Sequence, residues 1–187
     1  MKTRKLTTKD IALIGLMAAV MCLAAPFSVP IGPVPISLAT LVIYFTIYLL
    51  GAASGTISCL IYLLLGLVGL PVFSGFTSGL EKLLGPTGGY LIGYLLMALV
   101  GGIFVDRYRK NILLQFLGLV LGTAACYILG TAWLAWQASL SLKAALWAGV
   151  IPFIPGDLVK IAAAMVVAPQ IRRQIDRFRL QDQRASR

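Results

Sequence analysis

Two ionisable residues stand three apart inside a strongly apolar stretch, Ile151-Pro152-Phe153-Ile154-Pro155-Gly156-Asp157-Leu158-Val159-Lys160. On a helix that spacing puts Asp157 and Lys160 on one face, where carboxylate and ammonium can neutralise each other. An ionisable group within a membrane segment costs roughly 3 kcal/mol even on lenient scales, so it needs a partner or a task. Pro152, Pro155 and Gly156 disfavour a continuous helix just before the pair. Asp157 is therefore expected to be the N-cap of a second half-helix, with Lys160 in its first turn. A broken membrane helix that aims a half-helix start into a cavity is one way to build a substrate site. The alternative is a structural ion pair that pins a kink.

Three further groups could contribute to such a site. In Gly85-Pro86-Thr87-Gly88-Gly89-Tyr90, Pro86 suits a helix start and Tyr90 supplies a ring with a polar tip. Gly88 and Gly89 permit close approach of the backbone to a ligand, or equally to another helix. Upstream, Gly69-Leu70-Pro71-Val72-Phe73-Ser74-Gly75-Phe76 places an aromatic and a hydroxyl in the same connection, followed by Glu81 and Lys82, which read as solvated. Ser37 and Thr40, three apart, offer hydroxyls to a ligand or to their own helix. Near the N-terminus, Gly15, Ala18, Ala19 and Cys22 form a stripe of small residues where another helix, internal or from a separate subunit, can approach closely.

The elements that must hold these residues are membrane helices. Of 187 residues, 59% are apolar and only 12% charged, too few charges to solvate an ordinary surface. Apolar runs punctuated by Gly, Pro or charge give six spans at 10–27, 36–52, 55–71, 87–105, 111–137 and 142–169. The runs lack the alternation of a β-barrel, and a spanning segment otherwise satisfies its backbone as a helix. The net charge of +10 does not indicate nucleic acid. Apart from Lys82, Lys143 and Lys160, every basic residue lies in the N-terminal segment 1–9, in Arg107-Tyr108-Arg109-Lys110 or in the tail 170–187. That distribution predicts both termini and the Asp106–Lys110 turn on the cytoplasmic side, against anionic lipid. Asp106-Arg107-Tyr108 needs no meaning beyond that turn. The first 25 residues have the make-up of a signal peptide, but more spans of the same kind follow, which favours a retained first helix. The external connections are then a stiff, uncharged Pro26–Pro35 and a longer Pro71–Pro86 rich in Gly, Ser and Thr, suited to cover a cavity.

Several functions are excluded or weakened. The chain has no histidine and no GxxxxGK[ST] stretch, which removes histidine catalysis and ATP-driven transport by this chain alone. Cys22, Cys59 and Cys126 sit in apolar runs and read as packing residues. One Asp–Lys pair supplies no set of acid, base and nucleophile, so an enzyme is not expected. An ion-coupled secondary transporter would be expected to show two matching halves, and none is visible.

Three stretches together resemble the BioY family, the substrate-binding S components of energy-coupling factor (ECF) biotin transporters: Pro30 to Leu38, Gly69 to Gly75 with Gly85 to Tyr90, and Pro152 to Lys160. The resemblance extends over essentially all six spans. It implies a single transmembrane substrate-binding unit over 1–187 in the plasma membrane of a prokaryotic cell, a six-helix bundle binding biotin from outside. It also implies docking on a membrane coupling subunit driven by two ATPase subunits, with biotin as transported ligand and no cofactor. The family's docking stripe on the first helix has alanines four apart, a spacing held here by Gly15 and Ala19. With biotin as ligand, Asp157 would accept from a ureido N–H and Lys160 would donate to the ureido carbonyl. Phe73 and Tyr90 would line the ring and tail, and Thr87 or loop amides would meet the carboxylate. An S component for another vitamin is the nearest alternative.

Overall fold

The computed structural model describes residues 7–185, with side chains through 174. Lys2, Arg4 and Lys5 of the expected basic segment, and most side chains of the expected tail 170–187, lie outside the described residues. The elements are α1 (Thr8–Ala24), β1 (Ser28–Val29), β2 (Ile36–Ser37), α2 (Ala39–Leu67), α3 (Gly79–Leu84), α4 (Gly88–Arg107), α5 (Ile112–Gln137), α6 (Leu142–Gly149) and α7 (Ile154–Ala185). Four of the helices, α2, α4, α5 and the Ile154–Gln174 part of α7, are long and apolar enough to cross a membrane. Large apolar side chains such as Leu23, Leu64, Val68, Ile128 and Val159 face outward, as on helices that are apolar all round.

α1 starts at a capping box, in which the Thr7 hydroxyl accepts from the Asp10 amide and the Asp10 carboxylate accepts from Thr7 N. α2 is two limbs joined at Gly51, whose φ of 78° and ψ of −170° belong to no helix. A Cβ at Gly55 would stand 3.7 Å from the Ile47 Cα, whereas residues eight apart on a straight helix are separated by about 12 Å. The chain therefore folds back at Gly51. Sequence reading put this boundary at 53–54; the turn falls earlier because only a glycine adopts these angles, and because the Asp106 carboxylate occupies the space a Cβ at 51 would need. Asp106 Oδ2 accepts from Ala52 N at 2.8 Å, capping the second limb from the end of α4.

α4 and α5 form the closest pair, with Gly93 against Cys126 and Gly118 against Phe104. Tyr44, Ile47, Met97, Leu119 and Leu134 fill the centre, and the Tyr44 hydroxyl meets Thr123 Oγ1 at 2.7 Å. The Ser58 hydroxyl donates to Ile14 O at 3.1 Å and joins α1 to the second limb of α2.

At the opposite end from Gly51 two connections interlock. The first carries a short antiparallel ribbon, Ser28 opposite Ser37 and Val29 opposite Ile36, where sequence reading expected only a stiff link. The second is anchored by Phe73, fully buried edge-on against Tyr62 and over Gly66. Gly75 N donates to Pro26 O at 2.9 Å, and Phe27 and Phe76 meet edge to face, so the two connections hold each other.

The expected span 142–169 is broken between α6 and α7, at residues 150–153. Asp157 is not the N-cap of α7. It lies in the first turn, its amide bonded to Phe153 O at 2.8 Å. Pro155 needs no amide partner in a first helical turn, so the helix extends back through it to Ile154. α7 also continues through Pro169, where the expected span ended, and the Arg172 guanidinium donates to Tyr48 O at 2.8 Å.

Candidate functional site

The first two turns of α7 present Asp157 and Lys160 side by side, Lys160 in the second turn and not the first because the helix reaches back to Ile154. Their charged atoms are 3.1 Å apart and their side chains only 7% and 15% exposed. The break before α7 turns this pair toward α2 and α5. From the start of α2, the Thr40 hydroxyl donates to Asp157 Oδ1 at 3.0 Å. From the middle of α5, the Tyr127 hydroxyl donates to Asp157 Oδ2 at 2.6 Å. The Lys160 ammonium donates to Ser37 O at 2.9 Å, to Thr40 Oγ1 at 2.8 Å and to Asp157 Oδ1 at 3.1 Å.

Counting donors and acceptors shows what this arrangement can do. A carboxylate offers about four acceptor positions and an ammonium three donors. Asp157 has three positions filled, leaving one on Oδ2, while all three Lys160 protons are engaged. A ligand N–H can join Asp157 directly. A ligand carbonyl reaches Lys160 only by taking a proton now given to Ser37, Thr40 or Asp157. Buried networks with this many partners in place hold their geometry firmly.

The network borders a cavity of about 40 Å³, space for a water molecule rather than a vitamin. Ser37, Thr40, Asp157 and Lys160 give it a polar wall; Tyr90, Tyr94, Tyr127 and Phe153 give it an aromatic one. Behind the Tyr127–Asp157 bond lies an apolar groove of about 220 Å³ between α5 and α7, with Val120, Ala124, Ile154 and Leu158 in its walls. A ligand larger than water must displace side chains on one of these sides.

Of the residues singled out in the sequence, the fold gathers Ser37, Thr40, Tyr90, Asp157 and Lys160 around this one cavity. Tyr90 is held by its hydroxyl, which donates to Gly149 O at 3.0 Å and meets Thr131 Oγ1 at 3.1 Å. Thr87 borders a different, larger cavity toward the loops. Gly88 and Gly89 approach protein, namely Leu83 and Trp133, with the indole donating to Gly85 O at 2.9 Å. Phe73 is sealed beneath its own loop, and Ser74 and Gly75 lie in that loop, where Ser74 O accepts from the Thr77 hydroxyl and Gly75 N donates to Pro26 O. On α1, Gly15 and Ala19 are exposed and Cys22 is half-buried, but Ala18 points into the bundle at 1% exposure. Among the described residues no group of His, Cys, Asp and Glu could hold a metal ion.

The model of the BioY family matches residues 1–177. The chain belongs to the BioY family. A probable biotin transporter BioY of Pyrococcus horikoshii is 35% identical, covering 88% of this chain and 96% of the relative. The biotin transporter BioY of Rhodobacter capsulatus is 38% identical, covering 87% and 93%. Among solved structures, the S-component for biotin from an ECF-type ABC transporter superposes with a TM-score of 0.83 at 31% identity, over 92% of this chain and 95% of that one.

Within this BioY-family chain, the residue that sequence reading missed is Tyr127. It sits in an unbroken apolar helix, Ile112–Gln137, with no local motif, and only the register of α5 against α7 brings it to Asp157. Tyr94 was missed likewise, although it stands one helical turn beyond Tyr90, a spacing that places both on one face, and Phe153, inside the stretch already singled out, was given no role.

Proposed function

We propose that this chain is the biotin-capturing S component of an ECF-type uptake transporter, a binding subunit and not an enzyme, with Asp157 and Lys160 at the centre of its site. The observation that carries this is the buried carboxylate–ammonium pair, held by three other elements beside a cavity walled with aromatic rings, in a chain of the BioY family. A ureido ring matches the pair, with N–H groups for the free position on Asp157 Oδ2 and a carbonyl for Lys160. Tyr90, Tyr94 and Phe153 supply apolar faces for the bicycle. A buried polar pair of this kind rejects analogues that lack the matching group, because each leaves a partner unsatisfied.

The same reading places the chain in the plasma membrane of a prokaryotic cell as one unit with six spans: α1, the two limbs of α2, α4, α5 and α6–α7 together. Both termini and Arg107 to Lys110 are cytoplasmic, which the clustering of basic residues supports. The interlocked loops then face outward over the site. Power would come from a membrane coupling subunit and two ATPase subunits. The exposed Gly15 and Ala19 on α1 give a flat surface for docking, while Ala18 is turned inward and Cys22 lies at its edge.

The test is titration of the purified, detergent-solubilised chain with biotin, followed by tryptophan fluorescence or calorimetry. Saturable one-to-one binding without ATP or an ion gradient is expected. Absence of binding by folded protein would overturn the reading and direct the search to other vitamins.

A further inference from the structure

Toward the loops, next to the polar cavity, a second cavity of about 520 Å³ opens between the first connection and the segment joining α3 to α4. The two are lined by neighbouring stretches of the same two segments. Pro33 borders the outer one while Val34 and Pro35 border the inner; Thr87 borders the outer one while Tyr90, about 4.5 Å further along the axis of α4, borders the inner. Lys82 stands in the wall of the outer cavity with Ser78, Glu81 and Thr87. Its side chain is half-buried, and among the described residues its ammonium has no ion pair or hydrogen bond, not even to the adjacent Glu81, which is exposed. Burial lowers the pKa of this amine, as expected where a cation is partly desolvated with no anion beside it.

The other cations at this end are committed elsewhere. Lys160 has every proton engaged inside the protein, and Lys143 is exposed at the start of α6, away from the walls of either cavity. A ligand whose ureido ring lies against Asp157 carries its carboxylate at the far end of a methylene chain. The outer cavity is the roomy space next to the ring site, and Lys82 is its one positive charge.

We infer that Lys82, with the hydroxyls of Ser78 and Thr87 beside it, forms the carboxylate-binding end of the ligand site. This rests on the biotin reading above and adds the class of group the outer cavity accepts, an aliphatic carboxylate.

The experiment compares biotin with biotinamide, its uncharged counterpart with the same ring and chain, by calorimetry on the full chain and on Lys82→Gln and Lys82→Arg. The wild type should prefer biotin by about tenfold, the effect of one charge-assisted hydrogen bond. Lys82→Gln should lose that preference through weaker biotin binding, its biotinamide affinity unchanged and so reporting an intact fold. Lys82→Arg should restore most of the preference. Equal wild-type affinity for the two compounds, or a preference that survives Lys82→Gln, overturns this inference alone. Binding of neither compound overturns the biotin reading along with it.

Discussion

Asp106 and Asp157, one near each end of the bundle, are used differently. Asp106, about 24 Å of helical rise from Tyr90 along α4, is 37% exposed, accepts from the Ala52 amide and lies 3.5 Å from an exposed Arg109. Its Oδ2 is held by a backbone amide, so it closes a turn, and its one side-chain partner is an exposed arginine. Asp157 is nearly buried and its partners are all side chains, Thr40, Tyr127 and Lys160, from three different helices. Side-chain donors can rotate away where a backbone amide within a helix cannot. A carboxylate satisfied by backbone is architecture, whereas one satisfied by side chains from several elements can trade a partner for a ligand.

That contrast is broken most readily at Lys160. Lys160→Ala leaves the Asp157 charge buried without its counter-ion and should cost about 3–5 kcal/mol, read as a fall in thermal stability in detergent. The double variant Lys160→Ala with Asp157→Asn should be more stable than Lys160→Ala alone, since no uncompensated charge remains. A single variant as stable as the wild type would show that the pair is not an electrostatic unit. Next in size is Asp157→Asn, which keeps the shape but removes the charged acceptor. Its biotin affinity should fall tenfold to a hundredfold, about 1.5–3 kcal/mol for a hydrogen bond to a charged group, and an unaltered dissociation constant would remove Asp157 from the site. The smallest effect belongs to the other end. Asp106→Ala should lose about 1 kcal/mol of stability, as for a helix cap, with biotin affinity within a factor of two. An affinity loss there as large as that of Asp157→Asn would abolish the distinction between the two ends.

What the sequence discloses follows the range of the interaction. Asp157 and Lys160 are legible because both their spacing and their incongruity in an apolar run are local. Ser37 and Thr40 are legible as hydroxyls at a helix start, although nothing local assigns Thr40 to Lys160, more than a hundred residues away, and Ser37 meets that lysine through its carbonyl while its hydroxyl bonds Ala25 O and Ala39 N. Tyr127 is invisible, because its role depends on how α5 lies against α7 and its neighbours carry no signal. The placement of Asp157 as an N-cap fails for a definite reason: two prolines read as a single break, yet Pro152 falls in the gap and Pro155 fits inside the first turn. The fold-back of α2 is signalled by Gly51, but a turn of one residue needs the Asp106 carboxylate to complete it, and that comes from α4. The closed packing of Gly88 and Gly89 on Trp133 was one of two readings open to glycines, and only the neighbouring helix decides between them.

Lys160 has a consequence for how selectivity arises. Since all three of its protons are already engaged, a ligand carbonyl that reaches it enters by exchange, and the count of hydrogen bonds is the same before and after. Such an exchange releases little heat of its own. The discriminating step is closure: a correct ligand restores every bond it breaks, while an analogue of the right shape but the wrong edge opens the circuit and leaves Ser37 O or Lys160 unanswered. On the proposed assignment, recognition at this site would thus be a penalty on near misses more than a reward for the match.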